Sequence, residues 1–89
     1  LDAKAVVDAS GIGAEPASCA TVAGIRKLVA AGTIAPDASV CGILTGHVLK
    51  DPGVIVDYHT GSTPGGRANP PQRVAADLGA IRTVLSKQP

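Results

Sequence analysis

Ser39-Val40-Cys41-Gly42-Ile43-Leu44 decides the fold class of this 89-residue chain. Its apolar residues run on without alternating with polar ones. That pattern fits a strand covered on both faces, as in a parallel sheet. A strand at 39–44 that follows a helix is half of an α/β unit. No other segment reads as a clear neighbouring strand, and a lone buried strand would leave two rows of backbone groups unpaired. The expected fold is therefore α/β: part of a three-layer αβα domain with a parallel sheet that is incomplete in this chain. The strand runs into Thr45-Gly46-His47. Ligands of open α/β sheets sit at the carboxyl ends of strands, so this turn is the leading site candidate.

On the amino-terminal side, residues 1–10 read as the end of a helix. Ala3, Lys4 and Ala5 favour helix, and Gly11 suits a left-handed terminating position. Residues 11–16 form a tight turn, in which Pro16 keeps Glu15 extended and outside the next helix. A helix is expected over 17–31. Ser18, Val22, Ile25 and Val29 form one stripe, Leu28 widens it, Arg26 and Lys27 face away, and Gly32 ends it. Gly24, costly within a helix, is expected to mark a close approach to another element.

On the carboxyl side, 53–71 reads as a loop rich in Gly and Pro, with Val54-Ile55-Val56 as a short strand or buried anchor. The last helix is expected over 71–86, with Val74, Leu78, Ile81 and Leu85 on one face. The chain begins at Leu1 rather than Met, which adds to the expectation of further sequence upstream.

Composition narrows the function classes. A net charge of +1, scattered Arg and Lys, and a single aromatic residue, Tyr58, argue against a nucleic-acid partner. No apolar run reaches about 18 residues, so no membrane span is expected. No signal peptide is expected either, and a cytoplasmic location is expected. Cys19 and Cys41 read as two reduced, buried thiols. With His47 and His59 they lack zinc-finger spacing, so no metal site is expected. Gly11-Ile12-Gly13 is not a dinucleotide loop, because Pro16 replaces the third glycine and no strand precedes it. Ser62-Thr63, flanked by glycines, reads as a turn rather than a phosphate cradle.

Two blocks remain: Gly11-Ile12-Gly13-Ala14-Glu15-Pro16-Ala17-Ser18, and Leu44-Thr45-Gly46-His47-Val48-Leu49-Lys50-Asp51-Pro52. In order and spacing they resemble the carboxy-terminal portion of the threonine synthase family, strongly over 1–57 and weakly over 58–89. The family belongs to the tryptophan-synthase-β-like pyridoxal-phosphate enzymes. The resemblance implies a lyase of threonine biosynthesis that converts O-phospho-L-homoserine and water to L-threonine and phosphate when complete, with pyridoxal 5'-phosphate as cofactor. It also implies a small amino-acid substrate, the missing amino-terminal portion as partner, and a homodimer when complete. Val48 departs from the family's usual glycine and implies a backbone there that a β-branched residue allows.

By motif position the resemblance assigns Thr45 to the cofactor's pyridine nitrogen. A neutral hydroxyl there moderates the electron sink relative to a carboxylate. Glu15 either borders the cofactor ring or caps the following helix. His47 lines the site or orders the turn. Ser18 is a cap or a packed polar residue, and Lys50 and Asp51 stabilise the turn. None of Lys4, Lys27, Lys50 and Lys87 sits in the family's Schiff-base motif, which lies upstream, so the chain alone is expected to be inactive.

Two rival readings stand beside this one. A sibling such as threonine dehydratase or cysteine synthase more often carries Ser-Gly-Gly at the turn. A non-catalytic fragment or subunit that completes a partner's sheet would also explain the lone strand.

Overall fold

A computed structural model describes residues 1–61 and 65–87. The Ser62-Thr63 turn lies outside the described residues. Four helices follow in order: α1 (Asp2–Ala9), α2 (Ala20–Ala30), α3 (Pro52–Thr60) and α4 (Leu78–Leu85).

Both helix ends marked by glycine form as read. Gly11 has φ +82° and Gly32 φ +73°. At α1 the Gly11 amide donates to the Asp8 carbonyl and the Ile12 amide to that of Val7. At α2 the Gly32 and Thr33 amides donate to the Val29 and Leu28 carbonyls. This paired pattern satisfies carbonyls that a helix end leaves open, and glycine adopts the required left-handed conformation without a Cβ clash.

Helices α1 and α2 are the only pair, among the described residues, whose backbones pack closely. The core lies where they meet the 11–19 turn. Val7, Ala14 and Cys19 are buried there, with Val22 of α2 and Leu44 packed against them. The α2 stripe divides as expected: Val22, Ile25 and Val29 are half-buried, whereas Arg26 and Lys27 are exposed. Leu28 is exposed instead of widening the stripe. A Cβ on Gly24 would meet open space, so this glycine marks no close approach.

The expected strand is not formed. Among the described residues the β-structure is a single antiparallel bridge between Ala14 and His47. Segment 39–44 lies beside α2, where Gly42 faces Thr21 and Ile25, and it reaches the core at Leu44. Its outward side chains stay open, with Ile43 74% and Val40 46% exposed. The physical reason is the one that made the strand problematic from the outset. A strand exists only by pairing, and among the described residues no parallel neighbour supplies hydrogen bonds or cover. Cys41 is consequently exposed, unlike Cys19, so only one of the two thiols is buried.

Two further boundaries need correction. The 53–71 loop contains a helix, α3, over its first part. Val54-Ile55-Val56 favours strands, but Pro52 at the first helical turn presets the backbone for a helix. Helix α4 starts at Leu78 rather than 71, because the Asp77 carboxylate accepts from the Gly79 and Ala80 amides and sets the start there.

Candidate active-site cluster at the Thr45 turn

The isolated bridge brings the two motif blocks together across about thirty residues of sequence. Ala14 pairs with His47, and the Glu15 amide donates to the Gly46 carbonyl at 2.9 Å. Side chains reinforce that backbone join. Ser18 Oγ donates to Glu15 Oε1 at 3.0 Å and receives the Gly46 amide at 2.9 Å. Thr45 Oγ1 lies 3.3 Å from the same Ser18 oxygen. The Lys50 ammonium stands 2.9 Å from Glu15 Oε2 as an ion pair, although that oxygen receives no directed hydrogen bond.

Burial separates the roles. Glu15 and Ser18 are 6% exposed each, whereas Thr45 and His47 lie open to solvent. The Glu15 carboxylate rests against the Cα of Gly46, and any Cβ at 46 would overlap it. The neighbouring Lys50 ammonium, and then the Ser18 hydroxyl, hold the Glu15 carboxyl below its ordinary 4.5, outweighing desolvation. The same contact raises the Lys50 ammonium above its ordinary 10.5.

His47 orders the turn: its Nδ1 accepts the Leu49 amide at 3.2 Å and its carbonyl accepts the Lys50 amide at 3.1 Å. Val48 packs on Gly13, where a Cβ would come within 3.2 Å of the valine Cβ. Asp51 is the only non-glycine residue with positive φ among the described residues, so Val48 keeps a backbone open to β-branched side chains.

Ser18 does not cap α2, whose cap position is Cys19. Its hydroxyl crosses to the 45–46 turn instead. The contact from Lys50 to Glu15 spans 35 positions and has no local signature in sequence. Two concavities lie elsewhere. One, of about 560 Å³, runs between α1 and residues 66–69; the other borders Leu1 and Arg26.

Comparison with known proteins bears on the two blocks. Over 75 residues, 84% of this chain, the sequence is 45% identical to threonine synthase of Methanosarcina acetivorans, covering 16% of that protein. The chain is similar to a portion of threonine synthase. The Halalkalibacterium halodurans threonine synthase is 55% identical over 42 residues, which is 47% of this chain and 12% of that protein. That of Methanocaldococcus jannaschii is 30% identical over 84 residues, 94% of this chain and 18% of that protein. The chain thus spans under a fifth of the length of the threonine synthases it matches. No family model matches it, and no solved structure does. No helix among the described residues is long and apolar enough to cross a membrane.

Proposed function

We propose that this chain acts as the carboxy-terminal part of a threonine synthase, converting O-phospho-L-homoserine and water to L-threonine and phosphate together with the rest of that enzyme. The observation that carries the reading is the meeting of the two family-like blocks in one hydrogen-bonded cluster, with the Thr45 hydroxyl on its open side.

The residues fit pyridoxal 5'-phosphate in one respect. Thr45 offers an accessible hydroxyl, held on its inner side by Ser18, as a partner for a ring nitrogen. The cofactor supplies the electron sink for replacement at the substrate's side chain. Thr45 would hold its ring nitrogen. His47 shapes the turn that presents Thr45. Glu15 acts from behind, since its carboxylate is engaged with Ser18 and Lys50. Neither Lys4 nor Lys50 suits covalent attachment: Lys4 is buried and paired with Asp8, and Lys50 is paired with Glu15. Attachment falls to residues of the remaining enzyme.

Segment 39–44 becomes a strand when the remaining enzyme supplies its neighbours, giving a parallel sheet within an αβα domain. The complete enzyme is a cytoplasmic homodimer in this reading. Exposure of Val40 and Ile43 supports such pairing, and it equally favours a second reading, a non-catalytic subunit that completes a partner's sheet. Denaturing mass spectrometry of the natural product separates them. A chain several times longer than 89 residues carries the first reading, and one of about this length the second.

The site is tested in the full-length protein. Thr45→Ala and Thr45→Asp should alter the visible absorption of bound pyridoxal phosphate and lower turnover. Wild-type spectrum and wild-type turnover in both variants would remove Thr45 from the site.

A further inference from the structure

One member of the cluster has no part in the reading so far. Lys50 lies on the rim, its side chain 65% exposed, yet its ammonium meets a carboxylate that is 7% exposed. A surface lysine paired with a surface acid contributes little. Here the acid is enclosed, and its other oxygen leads to Thr45.

We propose that Lys50 is a positioning residue for the Thr45 hydroxyl, acting through Glu15 and Ser18. The inference rests on the reading of Thr45 as the hydroxyl that faces the cofactor.

An ionised carboxylate only accepts, so the 3.0 Å contact between Ser18 and Glu15 uses the single Ser18 proton. The Ser18 oxygen then has only lone pairs left. One receives the Gly46 amide at 2.9 Å. The other receives the Thr45 hydroxyl at 3.3 Å, so Thr45 is the donor in that contact. Thr45 is thereby held to one rotamer and one hydrogen-bond direction, and the backbone of the turn is tied to the same oxygen. Without the Lys50 charge, Glu15 loses the cation that fixes Oε2 and the strongest influence keeping its carboxyl ionised, so the carboxylate is free to turn away from Ser18 or to take up a proton. A protonated Glu15 can donate to Ser18, which frees the Ser18 proton and reverses the chain at Thr45. Lys50 therefore sets the direction of the whole series while touching neither substrate nor cofactor.

The test uses the full-length, cofactor-loaded protein and four variants, with far-UV circular dichroism as the check on folding. Lys50→Met should move the cofactor's absorption maximum in the same sense as Thr45→Ala. It should also lower kcat by roughly tenfold or more, the scale of a small misplacement at a reacting centre. Lys50→Arg should restore both. Three results overturn the proposal: a wild-type spectrum for Lys50→Met beside a shifted Thr45→Ala, which leaves the Thr45 reading standing; no shift in either, which removes both; or a shift that Lys50→Arg does not reverse. Should Lys50→Met fail to fold, Ser18→Ala decides, since it cuts the same series between Glu15 and Thr45. A shift matching Thr45→Ala supports the relay, and an unchanged spectrum overturns it.

Discussion

At the scale of single residues, the Glu15 carboxylate organises the candidate site, and its surroundings make two predictions. The first concerns Gly46. A methyl group there would overlap the carboxylate, whose position Ser18 and Lys50 fix from two sides. Gly46→Ala should therefore destabilise the full-length protein by about 1–3 kcal/mol, the cost of overpacking, visible as a lowered melting temperature. The second concerns pH. Because Glu15 is held below 4.5 when folded, its contribution to stability is present above pH 4.5 and is lost as pH falls through the lower folded value. Lys50 is raised above 10.5, so its contribution is present below pH 10.5 and is lost as pH rises through the folded value. Because each group's shift comes chiefly from the other, Glu15→Gln and Lys50→Met should each flatten both limbs of a stability-against-pH curve. A wild-type acid limb in Glu15→Gln would contradict the origin assigned here. Thr45 as a site candidate was legible in the motif. The Lys50 contact was not, because ion pairs across 35 positions are set by how the chain returns on itself.

At the scale of elements, short helices reveal what holds them. Helix α4 has eight residues and packs on no other helix among those described, and Leu78, Ile81 and Leu85 on its apolar face stay exposed. A helix this short is marginal alone, so its cap weighs heavily. Asp77→Ala should cost α4 about 1 kcal/mol. In the isolated chain, far-UV circular dichroism should show a small loss of helix, with the α1 and α2 amides unchanged in NMR. Loss of α1 and α2 signals as well would mean that α4 supports the core. Helix α1 is different. Its inner face is buried against the 11–19 turn, Lys4 pairs with Asp8 along it, and the Tyr58 hydroxyl of α3 donates to Asp2 at its start. Glycine signals marked the ends of α1 and α2 correctly, because the left-handed conformation is a local demand. Helix α3 is masked in the sequence because the β-branched Val54-Ile55-Val56 run opposes Pro52, and Pro70-Pro71 imitate a helix start that the Asp77 cap sets at Leu78.

At the scale of the whole molecule, the chain is too open for its length. Its radius of gyration is 16.0 Å, against about 12 Å for a compact domain of 89 residues. Its accessible surface is 6555 Å², against about 4,800 Å² for a compact monomer of this mass. The excess, roughly 1,700 Å², is about twice what one partner buries in a standard interface. Exposed Val40, Ile43, Leu49 and Leu78 contribute to it. Such openness is what the proposed covering by the remaining enzyme would relieve. Amide hydrogen exchange tests that directly. Amides 39–44 should exchange rapidly in the isolated chain and be strongly protected in the full-length protein, where a sheet would pair them. Equal, rapid exchange in both would end the strand proposal.

By itself the sequence determined the local events: two glycine-terminated helices, an apolar segment after α2, and a threonine at the end of that segment within two family-like blocks. These depend on backbone conformation and side-chain periodicity over a few residues. Tertiary structure alone decided the rest. It joined Ala14 to His47, enclosed Glu15 and Ser18 behind Thr45, and brought Lys50 onto a buried carboxylate. It also left 39–44 unpaired, because hydrogen-bond ladders and buried ion pairs need partners distant in sequence, and the described residues supply none to that segment.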